Sequence, residues 1–496
     1  MSDIKIIAKY LPQFHRTLEN DEWWGEGFTE WTAVRNAEPL YDGHKQPKKP
    51  MNDNYYDLMD KKTMKWQANL MHVYGVDGMC FYHYWFKDGR KILEKPAENL
   101  LRWTDINMPF CFCWANESWI RTWSNAGNGN AWIMNDGRKI SLDDDGVLLE
   151  QKYGGEKEWK EHFEYLLPFF KDKRYIKHAG KPVFLIYKPL SMPQVFNMIK
   201  YWRKLAADAG IGDIYFIGEN LDKKYTFDAR LLGEPAYVFH KYFEGQRVIR
   251  YEDAINAEIL DKPQDDTYYG AFSGFDNTPR MGIRGNIVKE ASPSLFKKQV
   301  LALIRKNFDS GMDMLFVNAW NEWGEGMYLE PDEESGFDYL KALKEAKDNC
   351  DTDDIPSSAP LLKVYNDPNA AILNKYDKFW HILDRWMKLK EAGKNLSPYF
   401  KIREINEVAV YGCGMLGRHL IKELERTGIK ISFLIDQNAE KIESIYDSFT
   451  SDMDFPHTEA IIVTIPDAYP SIYMKLREKT EVPVISVEEV VMEVSS

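Results

Sequence analysis

Met314-Leu315-Phe316-Val317-Asn318-Ala319-Trp320 runs straight into Asn321-Glu322-Trp323-Gly324-Glu325-Gly326. The first seven residues form a short apolar run of the length of a buried strand. The next six set two carboxylates among two glycines and a second tryptophan, which reads as a tight turn at the strand's end. Working outward, seven earlier runs have the same character: Ile4–Tyr10, Gly78–Trp85, Pro109–Ala115, Pro182–Lys188, Ile214–Glu219, Ala236–Lys241 and Tyr268–Phe275. Helical patterns lie between them at Lys61–Tyr74, Glu156–Phe170, Met192–Ala209 and Ser294–Ser310, and a further one at Ser335–Asp348 follows the eighth run. Ser292-Pro293-Ser294 supplies a cap and a first-turn proline for the fourth of these. Eight strand–helix units within residues 1–350 predict an α/β fold, a (β/α)8 TIM-type barrel with long loops.

The whole chain has 496 residues, too many for one ordinary core. Hydrophobic residues make up 44% of it, so a sizeable core can be buried. Aromatic residues make up 14%, with 16 Trp and 28 Tyr, which suits either a large aromatic core or flat faces for sugar rings. A formal charge of −13 without a basic run excludes a nucleic-acid binder, which needs a basic stripe. The five cysteines (Cys80, Cys111, Cys113, Cys350 and Cys413) are odd in number and match no zinc spacing, so they read as reduced thiols in a cytoplasmic protein. The N-terminus enters a strand at once, which predicts no signal peptide, and no run approaches the ~20 apolar residues of a membrane span. Oligomeric state is not legible.

In a (β/α)8 barrel, ligands meet the C-terminal ends of the strands. Here those ends carry Tyr10; His83, Tyr84 and Trp85; Trp114, Asn116 and Glu117; Tyr187 and Lys188; Glu219 and Asn220; His240 and Tyr242; Asp276 and Asn277; then Asn321, Glu322 and Trp323. Such convergence of polar and aromatic groups predicts binding of an oligosaccharide or polysaccharide. Glycosidic chemistry commonly uses two carboxyl groups, one to protonate the leaving oxygen and one as base or nucleophile. Glu322 and Glu325 are the candidates, with Trp323 to desolvate one of them and Gly324 and Gly326 to fold both toward one cavity. The competing reading is a helix-capping turn with its acids set against the dipole. His83 and His240 have no carboxylate at ligand spacing, so no metal site is assigned; Asp143-Asp144-Asp145 resembles a metal–nucleotide-sugar signature but reads better as a solvated turn.

Several of these segments resemble the glycosyltransferase WbsX family: Tyr10-Leu11-Pro12-Gln13-Phe14-His15, Asn20-Asp21-Glu22-Trp23-Trp24-Gly25, Gly27-Phe28-Thr29-Glu30-Trp31, Cys113-Trp114-Ala115-Asn116-Glu117, Asp276-Asn277-Thr278-Pro279-Arg280 and the Asn-Glu-Trp-Gly-Glu-Gly turn. The resemblance covers about residues 3–347. That family is related to the endo-α-mannosidase/endomannanase enzymes of glycoside hydrolase family 99. The relationship implies retention of configuration through a 1,2-anhydro sugar, with Glu322 as base toward the 2-hydroxyl and Glu325 as general acid, then base. It also implies α-linked, mannose-containing glycans of surface polysaccharide or O-antigen metabolism. Gly324 stands where those hydrolases have His. Two alternatives remain: a glycosyltransferase of polysaccharide biosynthesis using an activated donor, and a non-catalytic sugar-binding protein.

Residues 351–404 read as a linker followed by a helix, Ile372–Ala392, whose apolar face carries Phe379, Trp380, Ile382, Leu383 and Trp386. Residues 405–496 read as a small Rossmann-like domain. Its strand Val408–Tyr411 leads into Gly412-Cys413-Gly414-Met415-Leu416-Gly417 and a helix, and Asp436 ends the next strand. This is a dinucleotide-type pattern for a nucleotide at Gly412, Gly414, Gly417 and Asp436, set against glycines used only for packing. The barrel chemistry itself calls for no cofactor.

Overall fold

The computed structural model describes residues 4–120, 147–243, 246–260, 262–282, 285–351, 370–466 and 468–494. The acidic triplet Asp143–Asp145 and most of the expected linker lie outside the described residues. Contacts divide the chain into two units, one holding the barrel up to Asn366 and one running from Asp367 to the C-terminus.

The first unit is a nearly closed parallel barrel, consistent with a TIM barrel. Its strands are β1 (Lys5–Tyr10), β2 (Gly78–Trp85), β3 (Phe110–Trp114), β4 (Lys181–Ile186), β5 (Tyr215–Glu219), β6 (Ala229–Leu232), β7 (Thr267–Tyr269, resumed as Ala271–Phe272) and β8 (Met314–Asn318). Each pairs in parallel with the next, and β8 returns to β1 with Met314 opposite Lys5. At β7 the first half pairs with β6 and the second with β8, and the break falls at Gly270. A Cβ there would stand 3.1 Å from the Leu232 carbonyl oxygen and 3.4 Å from that of Phe316, so only glycine lets the strand turn between its neighbours.

Two strand expectations are corrected. Ala236–Lys241 is not the sixth strand but most of a helix, Ala236–Tyr242. Val238 and Tyr242, four apart, share its buried face, and the Glu234 carboxylate accepts from the Val238 amide at 3.1 Å to cap its first turn. The true β6 escaped notice because Arg230 interrupts its apolar run; the guanidinium is buried by bonds to Thr267 Oγ1 (2.9 Å) and the Leu221 carbonyl (2.9 Å). His240 is therefore helical, away from any strand end. The seventh run also stops earlier than expected, and Phe275–Asp276 pairs instead with Ile287–Lys289 in a separate small sheet.

Side chains alternate across each strand. Lys9, Cys80, Cys113 and Glu219 form one inward group: Lys9 Nζ donates to Glu219 Oε2 at 2.7 Å and to Cys113 Sγ at 3.2 Å. Charges so deeply buried persist only as a pair. Gly233 leaves room for the pair, since a Cβ there would lie 2.2 Å from Glu219 Oε1. The next inward positions toward the strand ends are Leu11, Tyr82, Ala115 and Tyr187, and they line the cavity described below.

In the second unit five parallel strands, β9 (Glu407–Tyr411), β10 (Lys430–Ile435), β11 (Ser448–Phe449), β12 (Ala460–Val463) and β13 (Val484–Ser486), lie in the order β11-β10-β9-β12-β13. The helix Ala370–Glu391 contributes Ile382, Trp386 and Leu389 to this unit's core, with Phe379 and Leu383 packed against it.

Candidate active site

The acid-bearing turn is built by its tryptophans. Asn321–Glu322 pairs antiparallel with Met327–Tyr328, and the chain between them makes one tight helical turn that Gly326 closes at φ +62°. Beneath it lies Glu330, buried, accepting hydrogen bonds from Trp320 Nε1 (2.9 Å), Trp323 Nε1 (2.8 Å), Gln67 Nε2 (2.8 Å) and the Tyr56 hydroxyl (2.8 Å). Burial outweighs these four donors and pushes its pKa up to about 7. Trp323 also stacks on Tyr328 at 3.8 Å. The indoles on either side of Glu322 are thus pinned to one buried carboxyl, which fixes where the acids point.

Glu322 and Glu325 meet at Arg280. Its Nη2 donates to Glu322 Oε2 (2.8 Å) and its Nη1 to Glu325 Oε1 (2.5 Å). A third carboxylate, Glu30, takes Nε at 2.8 Å and lies 2.7 Å from Nη2. Three carboxylates around one buried guanidinium leave an excess of negative charge. Burial raises Glu322 to about 8, with Glu325 and Glu30 adding to the rise and Arg280 opposing it. Burial also raises Glu30, again against Arg280. The same cluster explains Gly324: a Cβ there would lie 1.9 Å from Glu30 Oε1 and 2.8 Å from Arg280 Nε. Any side chain at position 324 would have to share the space of the Glu30–Arg280 pair.

The acids open on a cavity of about 140 Å³, lined by Leu11, Gln13, Trp24, Tyr82, Tyr84, Ala115, Glu117, Trp119, Leu148, Tyr187 and Arg280 besides Glu322 and Glu325. Gln13 is buried there and its amide nitrogen has no hydrogen-bond partner among the described residues, a donor left for a ligand. Glu117 is ion-paired to Lys188 at the rim.

Of the predicted binding residues, the structure brings Tyr84, Glu117 and Tyr187 to this cavity with the two acids. The others are placed elsewhere. Tyr10 bonds Gln67 (2.8 Å) on the outer face of β1. His83 and Trp85 point outward against His162: the two histidines meet Nε2 to Nε2 at 2.8 Å, and Trp85 stacks on His162 at 4.6 Å. Burial drives the His83 pKa down to about 3, so the ring is neutral. Trp114 donates to the Trp85 carbonyl (3.2 Å), Trp323 serves Glu330, and Glu219 is held by Lys9.

Three asparagines act as staples between neighbouring strand ends. Asn321 bonds the Leu11 amide (2.7 Å) and carbonyl (3.0 Å), Asn116 bonds the Lys188 amide and carbonyl (both 2.7 Å), and Asn220 accepts from the Gly233 amide (2.8 Å). Asp276 accepts from His44 (2.7 Å), Gln46 (2.7 Å) and both the hydroxyl (2.6 Å) and amide (3.1 Å) of Thr278. Sequence reasoning missed Tyr82, Gln13, Trp24, Trp119, Arg280 and Glu30 as site residues. The two-residue alternation of β2 was the available signal for Tyr82; Arg280 stood in the Asp276–Arg280 motif, whose resemblance assigned it no role.

In the second unit, Gly412 has φ +94° and the Gly417 position lies against the Gly412 carbonyl oxygen, 1.9 Å from where a Cβ would stand. Asp436 accepts from the Cys413 amide (2.8 Å) and the Asn438 amide (2.9 Å). Only Gly414 faces open space. Among the described residues no three His, Cys, Asp or Glu side chains stand where they could hold a metal ion.

A parallel barrel whose last strand runs into a turn carrying a buried Glu322 and a half-buried Glu325 defines the α/β class of the first unit. Comparison with known proteins then gives the family: the Glycosyltransferase WbsX family model matches residues 6–343, and the chain belongs to that family. The protein called "Uncharacterized protein WxcX" of Xanthomonas campestris pv. campestris strain ATCC 33913 is 33% identical over 366 residues, 69% of this chain and 49% of that protein. Its counterpart in strain B100 is 32% identical over 362 residues, with the same coverage. The chain thus spans about half the length of these curated relatives. Among solved structures, the GH99 endo-alpha-mannosidase from Bacteroides thetaiotaomicron is similar with a TM-score of 0.41 and 14% identity, over 70% of this chain and 97% of that one.

Proposed function

We propose that the barrel is a retaining carbohydrate-active enzyme, a glycosidase or transglycosidase, acting on α-linked, mannose-containing glycans in surface polysaccharide or O-antigen metabolism. The observation that carries this reading is the shared clamp: two carboxylates of one turn, joined by Arg280, facing an aromatic-walled cavity. Glu322 is the base. A carboxylate raised to about 8 is a stronger base than an ordinary one, as removal of a proton from a sugar hydroxyl requires. It takes the proton of the 2-hydroxyl as that oxygen bonds to C1, while Glu325 protonates the departing glycosidic oxygen. In the second step water or an acceptor hydroxyl attacks C1 and gives its proton to Glu325, the C1–O2 bond breaks, and the released 2-oxygen recovers its proton from Glu322. Tyr82, Tyr84 and Tyr187 supply ring faces and Gln13 a donor.

A glycosyltransferase using an activated donor is the second reading, favoured by the family's name. Against it, Arg280 is the cavity's one cationic side chain among the described residues and is already shared by three carboxylates. A diphosphate would meet negative charge there. Incubation with α-linked oligosaccharides and, separately, nucleotide sugars, with and without EDTA, decides between them. Loss of oligosaccharide turnover in Glu322→Gln and Glu325→Gln supports the proposal; metal-dependent release of nucleotide overturns it. Unchanged turnover in both variants overturns the site assignment, and binding without turnover in the wild type would leave a sugar-binding protein.

The second unit is read as a Rossmann-like domain of the same cytoplasmic protein, on the strength of its glycine turn and its β11-β10-β9-β12-β13 order. Packing already accounts for Gly412, Gly417 and Asp436, so a nucleotide there rests on Gly414 alone. Equilibrium dialysis with NAD and nucleotide sugars tests it.

A further inference from the structure

A second cavity borders the catalytic turn. Glu322 and Glu325 line the first cavity, whereas Gly326 and Tyr328 line the second, so one turn is a wall of both. The second measures about 400 Å³ against about 140 Å³ for the first. Ligand pockets commonly run from ~300 to 1,000 Å³. The acid cavity is therefore small even by the standard of one bound ligand, and further sugar units need room elsewhere.

The second cavity is made for a ligand rather than left by imperfect packing. Ser273 is buried on its wall, 3% exposed, and its hydroxyl has no hydrogen-bond partner among the described residues. Leaving such a group buried and unpaired is costly unless something fills the space beside it. Tyr41 forms a rigid aromatic wall. Its ring lies parallel to that of His44 at 4.6 Å, and His44 is fixed in turn, its Nδ1 accepting from the Leu40 amide (3.0 Å) and its Nε2 donating to Asp276 (2.7 Å). The Lys289 ammonium lies 4.4 Å from the Tyr41 ring centre.

The charges set the ligand class. Lys45 and Lys48 are ion-paired to Glu334, and Asp276 is taken up by His44, Gln46 and Thr278. The lining sets Lys45, Lys48 and Lys289 against Asp276, Glu290, Asp332 and Glu334, so a phosphate or carboxylate meets no excess of positive charge. A neutral polyol, each of whose hydroxyls both donates and accepts, matches such a lining. We infer that the cavity between Tyr41, Ser273 and Tyr328 is a second carbohydrate-binding site, taking a neutral pyranose unit beside the catalytic turn. This inference rests on the carbohydrate reading of the barrel.

The test is hydrogen–deuterium exchange of the full chain with methyl α-glycosides of mannose, glucose, galactose and rhamnose at tens of millimolar, with glucuronate and inorganic phosphate as charged probes. At least one neutral glycoside should slow exchange in the peptides covering residues 41–48 and 286–291. That protection should fall several-fold in Tyr41→Ala and Ser273→Val, persist in Tyr41→Phe, and persist in Glu322→Gln. Protection confined to peptides 11–13 and 82–84, protection by phosphate or glucuronate alone, or none with any glycoside overturns the second site. Because exchange is read in the Gln variant too, failure of the catalytic proposal shows separately, as turnover that survives Glu322→Gln.

Discussion

The turn after β8 and the turn after β9 share one plan: a buried apolar strand runs into a glycine-rich loop with a carboxylate close by. In the first, Glu322 and Glu325 keep their side chains toward a cavity, and what they touch, Arg280 and through it Glu30, comes from two distant short helices, Thr278–Met281 and Glu30–Arg35. In the second, the ends of the neighbouring strands satisfy the loop. Asp436 accepts from the loop amides of Cys413 and Asn438, Thr464 Oγ1 donates to the Gly412 carbonyl (2.6 Å), and Gly417 packs on that same carbonyl. The difference lies not in residue types but in which polar groups the surrounding fold leaves without a partner. In the second turn the carboxylate is taken up by backbone amides, whereas in the first the acids share one cation beside a cavity.

The largest effect expected from this contrast is on turnover. Glu322→Gln and Glu325→Gln should each lower initial rates on α-linked oligosaccharides by ~10²–10⁴-fold, while Gly414→Ala and Asp436→Asn leave them unchanged. An equal loss in the Asp436 variant would collapse the contrast. Next are the two crowded glycines, at each of which a Cβ would stand 1.9 Å from a neighbouring oxygen. Gly324→Ala should displace Glu30 and Arg280 and reduce turnover with little change in melting. Gly417→Ala meets backbone instead, so it should destabilise the second unit by ~1–3 kcal/mol and spare turnover; calorimetry and rate assays read both.

The pH profile comes third. A base works only when ionised, so the rising limb of kcat/KM should be half-maximal near 8, the value to which burial carries Glu322. Glu30→Gln removes one of the negative charges that raise Glu322 and leaves Arg280 more strongly engaged with it, so the rising limb should move to lower pH. A falling limb near 8 instead would make Glu322 the acid and exchange the two roles. The smallest effect expected is at the staples. Asn321→Ala and Asn116→Ala each remove two hydrogen bonds between strand ends and should cost ~1–3 kcal/mol of stability, measured by urea unfolding.

Much of the barrel was legible because its signals are local. Short apolar runs separated by periodic helices read correctly at six of the eight strands, and at the helix opened by Ser292, whose side chain accepts from the Leu295 amide. The seventh run extended past its strand into Phe275–Asp276, which joins another sheet, and the sixth was misplaced for two reasons. Ala236–Tyr242 is apolar enough to pass for a strand, and β6 is hidden by Arg230, whose charge is neutralised only by groups the fold brings to it. The site was legible at its acids and less so at its walls. Polar and aromatic strand ends were taken together, but alternation divides them. Tyr82, Tyr84, Glu117 and Tyr187 face inward, whereas Tyr10, His83, Trp85 and Trp114 face the helices or the neighbouring strand.

The order of apolar runs and the composition of the turn at Trp320–Gly326 were enough to place a strand, a tight turn and two acids at one end of a barrel, because backbone periodicity and glycine's freedom act over a few residues. They could not show that Arg280 joins the acids, that Glu30 occupies the space beside Gly324, or that Glu330 anchors both tryptophans. Those contacts link residues far apart in the chain, Arg280 and Glu30 by 250 positions and Gly324 and Glu30 by more. Electrostatic and steric neighbours of that kind exist only after the strands have closed, and they set the charge, the pKa and the direction of the two carboxylates.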